Sequence, residues 1–582
     1  MNPATERDTV ADSDVASQRR LFRLIIPRVP YPNVFSHITM PPLGVLHVAT
    51  AVKQQGEWDV EVIDELNWRN PVSRRELASD PLADHRDLQA RRPADAVGFY
   101  GGLTSTVPRL FQLARFYRDI GVPTASGGAH VDALPEEALR EGVDIVAHGE
   151  AEETIIDILD AWSGKLSLSD ISGISFMGPE GSMITTDLRE PKCNLDELPI
   201  PDFDLLVELK RPLTIAPFER TRGCNFRCEF CVVNDRFGPS RSASPEHVAA
   251  EIEKRVESGF RHFFCIDDNF TQRRKDILRL LGVIREIQER KRVKLHFTVQ
   301  VRSSVGRDEE LMRAMRAAGV YVLCIGLESP ILEELEGMEK HQTPEQIEKD
   351  VSALRRNGFM IHGMFIFGYP LRDYGAASQL TMRERADRYI SFIKRTALDT
   401  IQVMKPVPIP GSRLAERLRK EGRILPLNVV GWDKYDGNFL TFLPDAGISA
   451  SELQKQATRI LQKFYNPFSF LKFPLLVFTT PVDVLRVGFQ RAAEFARNPS
   501  ELAQVAVAGG AKKASALREG FREAKNEVFR VWRNAKLRTL GSVVVLAWLR
   551  ETRHTQFART LGRFQSAVRS GAKDDRMDMS RA

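Results

Sequence analysis

The sequence predicts an α/β fold in which a doubly wound, Rossmann-like N-terminal domain is followed by a partial (β/α)6 barrel and then by a mainly α-helical C-terminal region. Three observations predict it. Short apolar runs alternate with helical patterns from residue 19 to about 160, and again from about 212 to 425, as in parallel sheets covered by helices. The runs of the first stretch lead into glycines, at Gly101-Gly102, Gly127-Gly128 and Gly149. Past about residue 450 helical spacing takes over and the charge turns positive. At 582 residues the length suits roughly three or four domains, each with an ample core.

Residues 1–18 are polar and acidic and are expected to be disordered. Within 19–160, Leu21–Ile26 is a strand, Leu43–Gln54 a helix and Val60–Asp64 a second strand. Ala96–Tyr100 is a third strand, followed by a helix over about 106–119. Thr124-Ala125-Ser126 leads into Gly127-Gly128, a helix follows near 134–141, and Ile145–Ala147 runs into His148-Gly149-Glu150. Doubly wound sheets bind ligands at the carboxyl ends of their strands, and glycine there lets the backbone approach a bulky ligand. Residues 161–205 read as a connector in which Gly173–Met177 and Met183–Thr186 flank Gly178-Pro179-Glu180-Gly181, a small hairpin. Pro199 and Pro201 mark the entry to the next domain.

In 206–425 the strands read as 213–218, 262–267, 295–301, 321–327, 360–367 and 400–405. Two intervening helices have clear starts: Ser244 before Pro245, and Thr343 before Pro344 with Gln346 behind. Barrel chemistry sits at the carboxyl ends of the strands.

In 426–582, Trp432–Gly437 and Phe439–Pro444 give a short strand-like patch before the helices. Phe521, Val528, Trp532 and Ala535 share a helical face, interleaved with Arg522, Lys525, Arg530, Arg533 and Lys536. Phe468–Phe478 and Val543–Leu549 are short apolar runs. Residues 461–582 carry 22 Lys and Arg against 10 Asp and Glu, whereas the whole chain is only +6. A basic amphipathic helix with aromatics suits either a membrane interface or packing on the enzyme body. Nucleic acid is not expected as a partner, because no binding module accompanies the charge.

Six cysteines in so long a chain fit a reducing cytosol, not a disulfide framework. The acidic start is unlike a secretory signal, and no apolar stretch reaches the roughly 18 residues of a spanning helix. A cytoplasmic protein, with membrane contact at the surface only, is expected. Cys265 and Cys324 lie in apolar strand-like runs and read as core; Cys193 lies in a polar connector and has no assigned role.

The other three cysteines form one short motif, Cys224-Asn225-Phe226-Arg227-Cys228-Glu229-Phe230-Cys231, spaced C-x3-C-x2-C. Three thiolates on one loop can hold three irons of a 4Fe–4S cubane and leave the fourth iron open. Core cysteines and a zinc knuckle are the alternatives, but no fourth Cys or His is spaced for zinc. The motif follows an apolar run, Leu213–Phe218, and Thr221-Arg222-Gly223.

This motif resembles the signature of the radical S-adenosylmethionine (SAM) superfamily. The resemblance implies that Cys224, Cys228 and Cys231 hold the cluster and that its open iron chelates SAM, which is cleaved to a 5′-deoxyadenosyl radical. It places Phe230 near the adenine, Asp267-Asp268-Asn269 near the SAM amino group, and Gln300 and Arg302 near the ribose or carboxylate. Gly326-Leu327-Glu328-Ser329 resembles the family's G-x-x-E variant, which puts Glu328 beside SAM. For each of these polar residues a structural role stands beside the ligand role.

Residues 19–160 resemble the cobalamin-binding domain that precedes the radical SAM domain in one subgroup. The matching pieces are Pro41-Pro42-Leu43-Gly44, the loop Gly101–Ser105, Gly127-Gly128-Ala129-His130 and His148-Gly149-Glu150-Ala151-Glu152. The resemblance assigns Gly101, Gly102, Ser105, Gly127, Gly128, His130, Gly149 and Glu150 to cobalamin, with a hydrogen-bonded loop histidine as the alternative for His130. The D-x-H-x-x-G motif of other cobalamin proteins is absent.

Together these resemblances imply a cobalamin-dependent radical SAM enzyme modifying an unactivated carbon, by methyl transfer or by oxidative cyclisation or rearrangement. A non-catalytic cobalamin sensor or carrier is the alternative from another class. The expected partners are a small-molecule or lipid-like substrate and an external electron donor such as flavodoxin or ferredoxin. Cobalt must face the cluster across the substrate, so a cleft is expected between residues 19–160 and the barrel.

Overall fold

The computed structural model describes residues 19–31, 40–371, 380–466 and 510–570. The stretch 1–18 and the run 468–478, like the side chains of Phe521 and Val528, lie outside the described residues.

The first sheet has seven strands: β1 (Leu21–Ile26), β2 (Asp59–Asp64), β3 (Ala96–Tyr100), β4 (Thr124–Gly127), β5 (Ile145–Ala147), β6 (Ile174–Met177) and β7 (Met183–Thr185). Their order is β2-β1-β3-β4-β5-β6-β7. The first five run parallel, with Leu24 opposite Val62 on one side and Gly98 on the other. Both faces are covered: Phe22, Leu24 and Val62 pack into one apolar cluster, and Ile25, Ile63, Val97 and Phe99 into another. Two-sided burial is why these strands read as unbroken apolar runs. The order reverses between β1 and β3, the switch point where such sheets open a crevice. The hairpin of the connector does not stand alone: β6 and β7 add antiparallel to the edge at β5.

Four short helices of the first domain escape the sequence pattern: Arg74–Ser79, Ala83–Arg91, Ala129–Ala133 and Thr154–Trp162. The first two are mostly polar, although the first carries a capping box, Ser73 with Glu76.

The second sheet holds β8 (Ala216–Phe218), β11 (His262–Cys265), β12 (His296–Val301), β13 (Val320–Glu328), β14 (Met360–Ile366) and β15 (Thr400–Met404). They stand in sequence order and are all parallel. β9 (Thr221–Arg222) and β10 (Arg241–Ser242) form a small antiparallel ribbon beside them. Val299, Leu323, Ile361, Phe365 and Ile401 are buried in the large cluster under the helices. Gln300, Cys324, Met364, Gln402 and Met404 are part-exposed on the opposite, inner face.

C-terminal helices span Ala450–Phe464, Gly510–Glu551 and His554–Ser570. The second is fixed to the barrel by charge. Arg530 donates to both oxygens of Asp399, at 2.8 and 2.6 Å, and Arg533 donates to one of them at 2.6 Å. Tyr465 bonds both the N–H and the C=O of Ile401, and a β-carbon at Gly541 would lie 2.4 Å from its ring. Arg530 and Arg533, which the sequence left open to a membrane, therefore face the enzyme. Among the described residues no helix is long and apolar enough to cross a membrane.

Candidate active site

The cysteine loop leaves β8 and is pinned along its length. Asp267, just past β11, accepts from the backbone N–H groups of Arg220 and Thr221 at 2.7 and 2.9 Å and from the Thr221 hydroxyl at 2.7 Å. Gln272 Oε1 accepts from Asn225 N at 3.2 Å, and Asn234 Nδ2 donates to the Cys224 carbonyl. Gly223 has φ +83°, and a β-carbon there would lie 2.6 Å from the Gly238 carbonyl.

The strongest anchor is Glu229, between Cys228 and Cys231. It is buried, accepts from Arg417 at 2.9 and 3.1 Å and from the Tyr369 hydroxyl at 2.6 Å. Its own N–H and C=O bond Met338 and Leu414. The loop is thereby tied to the far strands of the barrel. Sequence reading missed Glu229 and Arg417, which lie 188 positions apart.

Burial pushes the Cys231 thiol up to about 12 and raises that of Cys224; a bound metal would stabilise the thiolates instead. Among the described residues, the trio of metal-type ligand atoms lying within 4.8 Å of one another is Glu65, Asp84 and His85. The Glu65 trio is already satisfied by a cation, because Arg109 lies 2.6 Å from Glu65 and 3.3 Å from Asp84.

A cavity of about 540 Å³ lies between the first sheet and this loop. Its first-domain wall includes Gly44 and Val48, Tyr100 and Gly102, Gly127-Gly128 and Gly149-Glu150. Its barrel wall includes Thr221–Gly223, Arg236, Phe237 and Asp268. This is the expected cleft. Gly128 has φ +130°, and a β-carbon on it would lie 2.4 Å from Gly102 N, so two of the predicted glycine loops touch backbone to backbone. Asp132 ties in the third loop: it lies 2.6 Å from His148 Nδ1 and accepts from Gly149 N at 3.3 Å.

The two walls are clamped by Arg222. Its guanidinium meets Glu152 at 2.7 Å and Glu150 at 3.3 Å from the first domain, and Glu219 at 2.9 Å from its own loop. Arg241 adds a second cation, paired with Glu150. Burial holds Glu219 up to about 7, and the same burial, with Arg222 adding, holds neighbouring His47 down to about 4.

The other predicted residues divide. Asp268 faces the cavity, and burial beside Asp267 raises its carboxyl to about 6. Arg302 lays its guanidinium 3.9 Å over the Phe226 ring, with Cys228 and Cys224 as electrostatic neighbours. Phe230 meets Tyr369 edge to face at 6.5 Å. Gln300 donates to the Asp267 carbonyl at 3.2 Å. Asp267 itself is taken up by the loop backbone and the Thr221 hydroxyl. Asn269 accepts from Thr271 at 3.0 Å, within its own turn. Glu328, at φ +58°, pairs with buried Lys340 at 2.8 Å.

In the first domain, Gly102, Gly127, Gly128, Gly149 and Glu150 line the cavity. Gly101, Ser105 and His130 lie behind it. His130 is buried, 3.3 Å from Thr104 and 3.4 Å from Glu137, and its ring meets Trp432 edge to face at 4.9 Å. Trp432 also donates to Glu137 at 2.8 Å. His130 is therefore the partnered loop histidine, and the Trp432 segment braces the first domain.

Comparison with known proteins fits this arrangement. The family model described as the radical SAM superfamily matches residues 218–379, and that described as the B12 binding domain matches 36–159. An uncharacterized methyltransferase of Pyrococcus horikoshii is 30% identical over 441 residues, covering 74% of this chain and 88% of that protein. The hopanoid C-2 methylase of Rhodopseudomonas palustris is 25% identical over 66% of each chain. The anaerobic magnesium-protoporphyrin IX monomethyl ester cyclase of Rubrivivax gelatinosus is 25% identical over 75% of each. Among solved structures, the radical SAM methyltransferase TsrM of Kitasatospora setae, with cobalamin and a [4Fe-4S] cluster bound, superposes with a TM-score of 0.58 at 17% identity, over 76% of this chain and 88% of that one.

Proposed function

Because the chain belongs to the radical SAM superfamily, in the group that carries a B12-binding domain, we propose that it transfers a methyl group to an unactivated carbon of an apolar, lipid-like substrate. The observation that carries this reading is the cavity walled on one side by the glycine loops of the first domain and on the other by the segments that flank the cysteine loop, Thr221–Gly223 and Arg236-Phe237. When bound, the cluster with SAM supplies a carbon-centred radical, and cobalamin supplies a transferable methyl group.

The chain's own contribution is placement. Cys224, Cys228 and Cys231 would hold the cluster, on a loop whose shape Asp267, Gln272 and Glu229 fix. Phe230, Asp268, Gln300 and Arg302 are the residues we assign to SAM, and Gly102, Gly127, Gly128, Gly149 and Glu150 those we assign to cobalamin. The Arg222 clamp keeps the two walls in register. The inner barrel face carries Met364 and Met404 together with Gln300 and Gln402, all part-exposed, a mixed face on which an apolar molecule can be oriented by a few polar groups. A methylase acting on hopanoids among the relatives supports a lipid-like substrate. An external one-electron donor of the flavodoxin or ferredoxin kind completes the reading.

Oxidative cyclisation is the second reading, favoured by the cyclase relative. The two separate on the fate of one group. Reduced, cofactor-loaded enzyme is given SAM labelled in its methyl group and a lipid extract from cells lacking the protein. We expect 5′-deoxyadenosine and label in an apolar product. Deoxyadenosine with a new but unlabelled product would replace methylation by cyclisation, and no deoxyadenosine at all would leave a carrier.

A further inference from the structure

The helix Gly510–Glu551 has a second face that the barrel does not cover. Its inner side carries Arg530, Ser542, Val545 and Trp548, all buried. Its outer side carries Trp532, Leu540, Val543 and Leu546, which are 43, 55, 63 and 54% exposed. With Lys536 and Arg550, also exposed, these positions form one stripe about 27 Å long. The exposed cations Lys536, Arg550 and Arg553 bracket its apolar middle. From 530 to 570 the sequence has nine Lys and Arg and one acid, Glu551; of the nine, Arg530, Arg533 and Arg538 turn to the barrel.

Exposed helix faces usually carry charge, so large aliphatic side chains in a row point to a partner. The charge layout says which. Apolar groups in the middle, cations at the ends and an indole along the same stripe describe a helix lying in a bilayer interface, where aliphatic groups enter the acyl boundary and Lys and Arg reach lipid phosphates. On the opposite side Asp399 holds Arg530 to the barrel and the Tyr465 ring lies against Gly541, so the outer stripe is presented as a fixed surface. We infer that this face docks the enzyme on an anionic membrane surface.

Vesicle flotation with the full chain loaded with cofactors tests the inference. Vesicles of phosphatidylcholine alone are compared with vesicles holding about 30% phosphatidylglycerol. We expect co-flotation with the anionic vesicles, weakened in about 0.5 M salt, and little with the neutral ones. The triple variant Leu540→Ser, Val543→Ser, Leu546→Ser should bind at least about tenfold more weakly, with iron and cobalt content and helicity unchanged. Lys536→Gln with Arg550→Gln and Arg553→Gln should lose most of the preference for anionic vesicles. Absence of wild-type binding to phosphatidylglycerol vesicles overturns the inference, as does unchanged binding of the serine variant. A dimer in solution that the serine substitutions dissolve, without vesicle binding, would give the face to a second copy and also overturn it. None of these readouts depends on turnover.

Discussion

Glu229→Ala is expected to strip the protein of its iron and to destabilise the barrel. The carboxylate lies between two of the cluster cysteines and is the buried counter-charge of Arg417. Removing one partner of a buried ion pair costs about 3–5 kcal/mol when the other charge is left buried and alone; Arg417 is only part-buried and keeps Glu421 at 3.2 Å, so the loss is expected at about the low end of that range. The Tyr369 hydroxyl loses its acceptor in the same step. The segment Cys228–Cys231 would then keep its backbone bonds and the packing of Phe230 on Tyr369 but lose its carboxylate anchor. Iron per chain after anaerobic reconstitution should fall to a small fraction of wild type, and the denaturant midpoint should drop. Glu229→Gln keeps an acceptor for Tyr369 and for one guanidinium N–H, and should fall between. Arg227→Ala, at the exposed tip of the same loop, should leave both readouts near wild type. If Glu229→Ala retains full iron, the anchor is not what shapes the loop.

Gly128→Ala is expected to remove cobalamin and leave the cluster in place. At φ +130° a β-carbon is strained by about 1–3 kcal/mol. It would also stand 2.4 Å from Gly102 N and 2.6 Å from the Gly101 carbonyl carbon. Both neighbours are backbone, so no rotamer change relieves the overlap, and the two loops must part. Those loops are one wall of the cavity. Cobalt bound per chain should fall at least about tenfold, the effect of some 1.4 kcal/mol or more on binding, while iron stays at the wild-type level. Loss of both metals together would indicate general unfolding. Cobalt at the wild-type level would show that the wall tolerates the change. Gly149→Ala makes the contrast: its φ is +66° but no atom lies within 4 Å of the added carbon, so only the backbone cost applies.

Sequence and structure agree where the information is local. The cysteine spacing, the apolar runs of β1 and β3 and the six barrel strands each depend on a few neighbouring residues. The ends of the six strands shift by only a few residues from the pattern. What the sequence does not display is which distant side chain answers which. Glu229 looks like one polar residue between two cysteines, and Arg417 like one of several cations on an amphipathic helix. Their pairing appears only when the barrel brings the helix Arg413–Lys420 against the cysteine loop. Asp267 shows a related ambiguity. An acid at a strand end can face a ligand or cap its own loop, and the two choices share one sequence pattern. His130 follows the same logic, since Gly128 and the strand end point towards the cavity but the short helix after them turns the imidazole back to Trp432. The hairpin β6–β7 was legible as a hairpin but not as an edge of the first sheet, because nothing in a strand names its partner. The Arg74–Ser79 helix could have been found from the Ser73-x-x-Glu76 capping box.

The claim beneath all of this is that three cysteines leave an iron at which SAM is opened, beside a separate cobalamin wall. Wild type and the Cys224→Ala, Cys228→Ala, Cys231→Ala variant, both isolated and reconstituted without oxygen, should be compared for iron, cobalt and 5′-deoxyadenosine formed from SAM on reduction. The account predicts about four irons per chain, bound cobalt and deoxyadenosine for wild type, and cobalt without iron or deoxyadenosine for the variant. Deoxyadenosine at an undiminished rate from the variant would contradict it.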